Sequence, residues 1–227
     1  MTIKVEVTTD LIMSLYEQLN TLFPWQKRWY EQRFQRARDL HKGREIGADY
    51  YFALEALLDA CLTGRNKIFI ESAPSDAKDI FISSAVQYLV YFLGRKIKSE
   101  TRIITLSNGS EIRFYPHNTQ TWAGVTGDVY LSEWAYFSEP LNAIDAAMAI
   151  TAHIKWRLTV YSSIDECAPG KDVKFTGNSW YHDSVPFLPH ECSSHHCRKI
   201  DGLRPYYSDS YFRQAYLCQL PEGSKPL

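Results

Sequence analysis

The sequence predicts an α/β fold, one sheet with helices on both faces, followed by a loop-rich C-terminal region. Three observations carry that reading. Short β-branched and aromatic runs alternate with stretches of helical period, the pattern of strands joined through helices. Two alternating runs flank Asn108-Gly109, a pair suited to the positive φ angles of a tight hairpin turn. Beyond Pro169 both periods fade into Pro, His and Ser.

The elements follow in order. Residues 9–20 and 24–42 read as two helices, the second opening at Pro24, where a missing N–H costs a helix nothing. Tyr51 to Leu62 reads as a buried helix, apolar around most of its circumference and stopped by Gly64. Asn66 to Ser72 is a short strand. Residues 75–93 read as a helix, with Ile80, Phe81, Val86, Leu89, Val90 and Leu93 at helical spacing. The hairpin around Asn108-Gly109 comes next. Gly127 to Phe137 reads as a buried strand ending in polar residues, Asn142 to Thr151 as a small-residue helix, and Lys155 to Ser163 as another strand.

Composition bounds the function classes. A chain of 227 residues, 45% hydrophobic and 22% charged, is long enough to bury a core without disulfide or metal staples. Its net charge of −1 carries no global footprint of a nucleic-acid binder. Between Trp25 and Arg44, however, seven cations face two acids. Such a run reads first as a solvated helix face and second as a surface for a phosphate-bearing partner. No run of about eighteen apolar residues exists, and the N-terminus lacks the pattern of a secretory signal. Five cysteines without such a signal suggest a reducing cytosol.

The segment Lys42 to Gly64 resembles a phosphate-binding loop running into a helix. In such loops glycines let backbone N–H groups wrap phosphates, a lysine reaches the terminal phosphates, and a Ser or Thr hydroxyl binds Mg²⁺. Here Gly43 and Gly47 are more tightly spaced, Ala48 stands at the lysine position and Asp49 at the hydroxyl position. On spacing alone the segment reads first as a glycine turn before a core helix.

The order of motifs adds to this. "FPWQKRWY", "KGREIGADYYFALEALLDACLTGRNKIFIESA", "LSNGSEIRFYP", "GVTGDVYLSEWAYF" and "TVYSSI" follow one another as in the ATPase domain of large phage terminase subunits, which the chain resembles from about Phe23 to Gly223. The resemblance implies a P-loop NTPase-like core at 23–168, a helical segment at 1–22, and a loop-rich extension of the same domain at 169–227. It implies that Gln26 reads adenine and that Lys42, Gly43, Arg44, Glu45, Gly47, Ala48, Asp49 and Tyr50 surround the triphosphate of ATP. Glu133 would polarise the attacking water, Arg44 would sense phosphate, and Ser162 and Ser163 would couple hydrolysis to motion. The aspartate that holds the family's Mg²⁺ is here Ser132, while the loop hydroxyl is Asp49. That exchange still offers one carboxylate and one hydroxyl for Mg²⁺, but it places a carboxylate beside the triphosphate. Two readings follow, a packaging motor with weakened or lost hydrolysis and a non-hydrolysing look-alike that regulates or interferes with packaging.

The resemblance further implies double-stranded DNA, a portal and a small terminase subunit as partners, a ring formed only on assembly, and the bacterial host cytoplasm as location. No nuclease domain is expected within these residues, whether they are part of a longer chain or a motor domain standing alone. Separately, His190, Cys192, His195, His196 and Cys197 form a dense imidazole and thiol cluster. His190, Cys192, His195 and Cys197 could bind zinc and stabilise an interaction module, though the cluster lacks the usual paired spacing and reads first as a polar surface loop.

Overall fold

The computed structural model describes residues 2–72, 83–98, 101–118, 122, 124–176, 179–188, 190–192, 198 and 200–220. Among these, the strands are β1 (Thr2–Val5), β2 (Ala37–Lys42), β3 (Lys67–Glu71), β4 (Ile103–Leu106), β5 (Glu111–Pro116), β6 (Asp128–Ser132), β7 (Leu158–Ser162) and β8 (Trp180–Val185). The helices are α1 (Thr9–Leu19), α2 (Pro24–Glu31), α3 (Ala48–Thr63), α4 (Ser84–Phe92), α5 (Pro140–Ile150) and α6 (Asp209–Leu217).

The eight strands form one sheet in the order β1-β4-β5-β3-β6-β7-β2-β8. Only β4 and β5 pair antiparallel, as the Asn108-Gly109 hairpin requires, with Gly109 at φ 90°. Alternate residues of the central strands face opposite sides. Leu40, Phe69, Tyr130 and Tyr161 enter the core shared with α1, α2, α3, α4 and α6, while Ile68, Ile70, Val129, Leu131 and Val160 enter the core shared with α5. Helices therefore cover both faces, as the sequence predicts. α3 is buried almost all round because α1, α2 and α4 pack against the sides the sheet leaves open.

Four readings are corrected or narrowed. The helix expected over 24–42 ends at Glu31, and Ala37–Lys42 is a central strand. A strand of sequence Ala-Arg-Asp-Leu-His-Lys has no apolar alternation to announce it. Its charges are neutralised by partners from other elements: Arg38 pairs with Glu55 at 2.5 Å, and Asp39 meets His182 at 3.3 Å. The run of cations is thus no single solvated face, since Arg38 and Lys42 are buried. β1 was unforeseen, and so were β8 and α6 within the supposedly loop-rich end. Of the helix expected over 75–93, residues 84–92 are helical and the part over 75–82 lies outside the described residues.

This topology fixes where a site can form. β2, β3, β5, β6, β7 and β8 run parallel, so their C-terminal ends share one edge of the sheet. In open α/β sheets ligands bind at that edge.

Candidate functional site

Lys42 ends β2 and the chain leaves the edge through Gly43, Arg44, Glu45, Ile46 and Gly47 before entering α3 at Ala48. Glu45 at φ 63° and Gly47 at φ 78° are both left-handed, and these two reversals curl the loop. A left-handed backbone is uncommon for a side-chain-bearing residue such as Glu45. The curl encloses a cavity of about 210 Å³ lined by Lys42, Arg44, Glu45, Ile46, Gly47, Ala48, Asp49, Tyr88 and Glu133.

The first N–H groups of an α-helix have no partner within the helix. Gly47, at the N-cap of α3, has no side chain to occupy them. Ala48 and Asp49, the first two helical residues, line the cavity, so the positive end of the α3 dipole faces it. The earlier loop N–H groups differ. Gly43 donates to the Val185 carbonyl at 2.8 Å and Arg44 to the Ala215 carbonyl at 2.7 Å. The base of the loop is therefore strapped to β8 and α6, and the N–H groups of Gly43 and Arg44 are already taken. This contact also explains Gly43, since a Cβ there would lie 2.4 Å from the Tyr216 carbonyl oxygen.

Glu133 reaches the cavity from the end of β6. It adopts a left-handed φ of 52°, held by its N–H donating to the Tyr161 carbonyl at 2.8 Å. One carboxylate oxygen forms an ion pair with the Lys42 ammonium. The other accepts from the Ser163 N–H and Ser163 hydroxyl, both at 3.0 Å, and from the Ser162 hydroxyl at 3.3 Å. β7 lies between β2 and β6, and this is why its serines meet an acid from the next strand. Burial alone would raise the Glu133 carboxyl, but the Lys42 charge and hydrogen bond, with Ser163, hold it below the usual carboxylate range. Lys42 is buried, yet the charges of Glu133 and Asp49 keep its ammonium above its ordinary value.

Asp49 and Ser132 are brought together. Ser132 donates to Asp49 Oδ1 at 3.0 Å, and the Tyr161 hydroxyl donates to the same oxygen at 2.9 Å. Burial raises the Asp49 carboxyl above the ordinary range, opposed by the Lys42 charge and reinforced by Glu133. Tyr50 lies at the cavity's flank rather than in its lining, its hydroxyl donating to Gln18 at 3.1 Å and its ring against Tyr88. Arg44 lines the cavity, and its guanidinium donates to the Tyr211 hydroxyl on α6 at 3.2 Å. Gln26 lies behind the loop, its amide donating to the Gly47 carbonyl at 3.1 Å.

Sequence reading missed Tyr161, Tyr88 and Trp25. Tyr161 immediately precedes the two serines in "TVYSSI", and its strand position could have placed it. Tyr88 carries no local signal. His190 is exposed near Glu191, and Cys192 is buried in the core. His195 and Cys197 lie outside the described residues, among which no group of three His, Cys, Asp or Glu is placed to hold a metal. No helix among the described residues is long and apolar enough to cross a membrane.

Comparison with known proteins gives a consistent result. Residues 39–167 match the family model of the terminase large subunit, T4likevirus-type, N-terminal. The chain is 33% identical over 169 residues to the probable terminase ATPase subunit of Haemophilus phage HP1, covering 74% of this chain. It is 30% identical over 171 residues to the terminase ATPase subunit of Escherichia phage P2, covering 73%. In both cases it spans 25% of the relative's length. The fold is similar to the large terminase of thermophilic bacteriophage D6E, with a TM-score of 0.63, 11% identity, and coverage of 86% of this chain and 52% of that one. Another crystal form of the D6E protein is a complex with ADP.

Proposed function

The chain belongs to the terminase large-subunit family, and from that membership we propose that it is an ATP-binding domain of the DNA-packaging motor type whose hydrolytic step is weakened. The observation that carries the second half is Asp49, a carboxylate on the first turn of α3 inside the cavity. In this reading the N–H groups at the start of α3 take phosphate oxygens, and Lys42 and Arg44 offset their charge. Glu133, oriented by Ser162 and Ser163, accepts the proton of the attacking water. Positioning and electrostatics of this kind carry most phosphoryl-transfer catalysis.

Two features weaken the step. A carboxylate about 4 Å from a phosphate oxygen is repelled by roughly 4 kcal/mol at an effective dielectric of 20. The Lys42 ion pair also lowers the basicity of Glu133 until the ammonium turns to phosphate. The donor set suits Mg²⁺, because Asp49 lines the cavity and the Ser132 hydroxyl stands 3.0 Å behind its carboxyl, a pair of hard oxygens. Asp49 and Ser132 would hold the metal, whose charge would offset the repulsion that otherwise opposes binding. Double-stranded DNA, a portal and a small terminase subunit are the partners this reading implies, with a ring forming on assembly in the bacterial host cytoplasm.

Magnesium-dependent ATP binding and turnover by the purified chain test the reading, beside Glu133→Gln and the paired exchange Asp49→Thr with Ser132→Asp. We expect Mg-ATP to bind, turnover to be slow and lost in Glu133→Gln, and the paired exchange to raise it at least tenfold. Absence of nucleotide binding would favour the look-alike, which engages packaging components without hydrolysis.

A further inference from the structure

The resemblance gives Tyr161 no task of its own, yet this residue touches both acids of the site. We propose that Tyr161 is a positioning residue that holds Asp49 by one carboxylate oxygen, and that this hold makes the site prefer Mg²⁺ to Ca²⁺ when it takes a nucleotide. This rests on the nucleotide reading above.

β6 and β7 are parallel neighbours, and Ser132 stands opposite Tyr161 in their register, so the two side chains leave the sheet on the same face. That is the α3 face, where the Tyr161 ring is fully buried with its centroid 4.4 Å from that of Phe52. A buried phenol hydroxyl needs a hydrogen-bond partner. Asp49, on the first turn of α3, supplies it: Oδ1 accepts from Tyr161 at 2.9 Å and from Ser132 at 3.0 Å. A carboxylate oxygen has about two lone-pair sites, and on Oδ1 both are filled. Among the described residues nothing donates to Oδ2, and Asp49 lines the cavity.

The last torsion of an aspartate is otherwise soft. Two donors converging on Oδ1 fix it and leave the ligand a single oxygen, Oδ2. Mg²⁺ demands near-ideal octahedral geometry, which the narrow bite of a two-oxygen carboxylate fits poorly, whereas Ca²⁺ readily takes both oxygens. A carboxylate with one oxygen already engaged therefore suits Mg²⁺ and handicaps Ca²⁺. Tyr161 reaches the other acid through its backbone. Its carbonyl accepts the Glu133 N–H at 2.8 Å, and the next two residues, Ser162 and Ser163, hold the Glu133 carboxylate. Three consecutive residues at the end of β7 thus orient both acids. A tyrosine serving only the core would need its ring alone, and Tyr161→Phe keeps the ring.

The test measures ATP dissociation constants by calorimetry on the whole chain with Mg²⁺, with Ca²⁺ and with a chelator, in wild type and Tyr161→Phe. We expect wild type to bind Mg-ATP at least about fivefold tighter than Ca-ATP. Tyr161→Phe should erase that preference while leaving metal-free ATP within about twofold of wild type. Weakening of all three by a common factor, or an unchanged preference in the variant, would overturn the proposal. If Tyr161→Phe does not fold, the wild-type preference decides: Mg-ATP the tighter upholds the hold on Asp49, and Ca-ATP as tight refutes it. Should wild type bind ATP under none of the three conditions, the nucleotide reading fails by itself. The hold is then read without ligand from the Tyr161 ring Cζ resonance in labelled protein. That resonance should move in Asp49→Asn, which removes the charged acceptor, and an unmoved resonance refutes the hold.

Discussion

Single residues at the sheet edge do opposed things within a few ångströms. In the proposed reading Asp49 sets a carboxylate where a phosphate would sit, while Lys42 supplies a positive charge and meanwhile pairs with Glu133. Replacing Asp49 with Asn removes the repulsion and keeps an acceptor for Ser132 and Tyr161. Asp49→Asn should therefore strengthen metal-free ATP binding by at least tenfold in calorimetry, while narrowing the gap between binding with and without Mg²⁺. An unchanged metal-free affinity would remove Asp49 from the ligand's surroundings. Arg38 poses the same question in the core. Its guanidinium meets Glu55 at 2.5 and 3.0 Å and Thr159 at 2.8 Å, all buried. Arg38→Met leaves Glu55 an uncompensated buried charge and should cost about 3–5 kcal/mol in denaturant unfolding. Adding Glu55→Leu should return much of that.

At the scale of elements, the site depends on what straps the loop and what caps the neighbouring helix. α6 and β8 close over Gly43, whose missing Cβ makes room for the Tyr216 carbonyl and the Phe187 N–H. Gly43→Ala should destabilise by about 1–3 kcal/mol through overpacking, read as a fall in denaturant midpoint. Glu71, at the end of β3, accepts the Ser83 hydroxyl and the Ser84 N–H at the start of α4, which brings Tyr88 to the cavity. Burial pushes its carboxyl from 4.5 up to about 7, with the Asp49 charge adding to the shift. Because the folded value lies above the unfolded one, the protonated acid favours folding. Its contribution is complete below 4.5 and is lost as pH rises through about 7. His41, lowered to about 4 by burial, has the opposite slope, losing stability as pH falls from 6.5. The difference between wild type and Glu71→Gln isolates Glu71. It should move by up to about 3 kcal/mol in the variant's favour between pH 4.5 and 8.

For the whole molecule, one sheet edge gathers the ends of six parallel strands, and a ligand at the proposed site would touch elements far apart in sequence. Mg-ATP at about a hundred times its dissociation constant should stabilise the fold by about 2.7 kcal/mol. For a domain of this size that is a rise in melting temperature of roughly 5–10 °C. ATP with a chelator should give a smaller rise, because the Asp49 carboxylate then meets the triphosphate unshielded. Equal shifts with and without Mg²⁺ would contradict the proposed Asp49 and Ser132 pair. The net charge of −1 hides this arrangement, since Arg38 and Lys42 are buried beside Glu55 and Glu133.

The sequence by itself determined the α/β class, the hairpin, the strands carrying Glu133 and Ser162, and the motif order that marks the family. Those features are local: a period, a turn dipeptide, a glycine at a helix end. Only the tertiary structure decided that Ala37–Lys42 is a central strand, because its charged side chains are satisfied by Glu55, His182 and Glu133, distant in sequence. Likewise only the fold turned Gly43 into a contact point for α6 and set the Gln26 amide between the Phe23 N–H and the Gly47 carbonyl. A charged strand or an engaged amide is defined by its partners, and partners are chosen when distant segments pack.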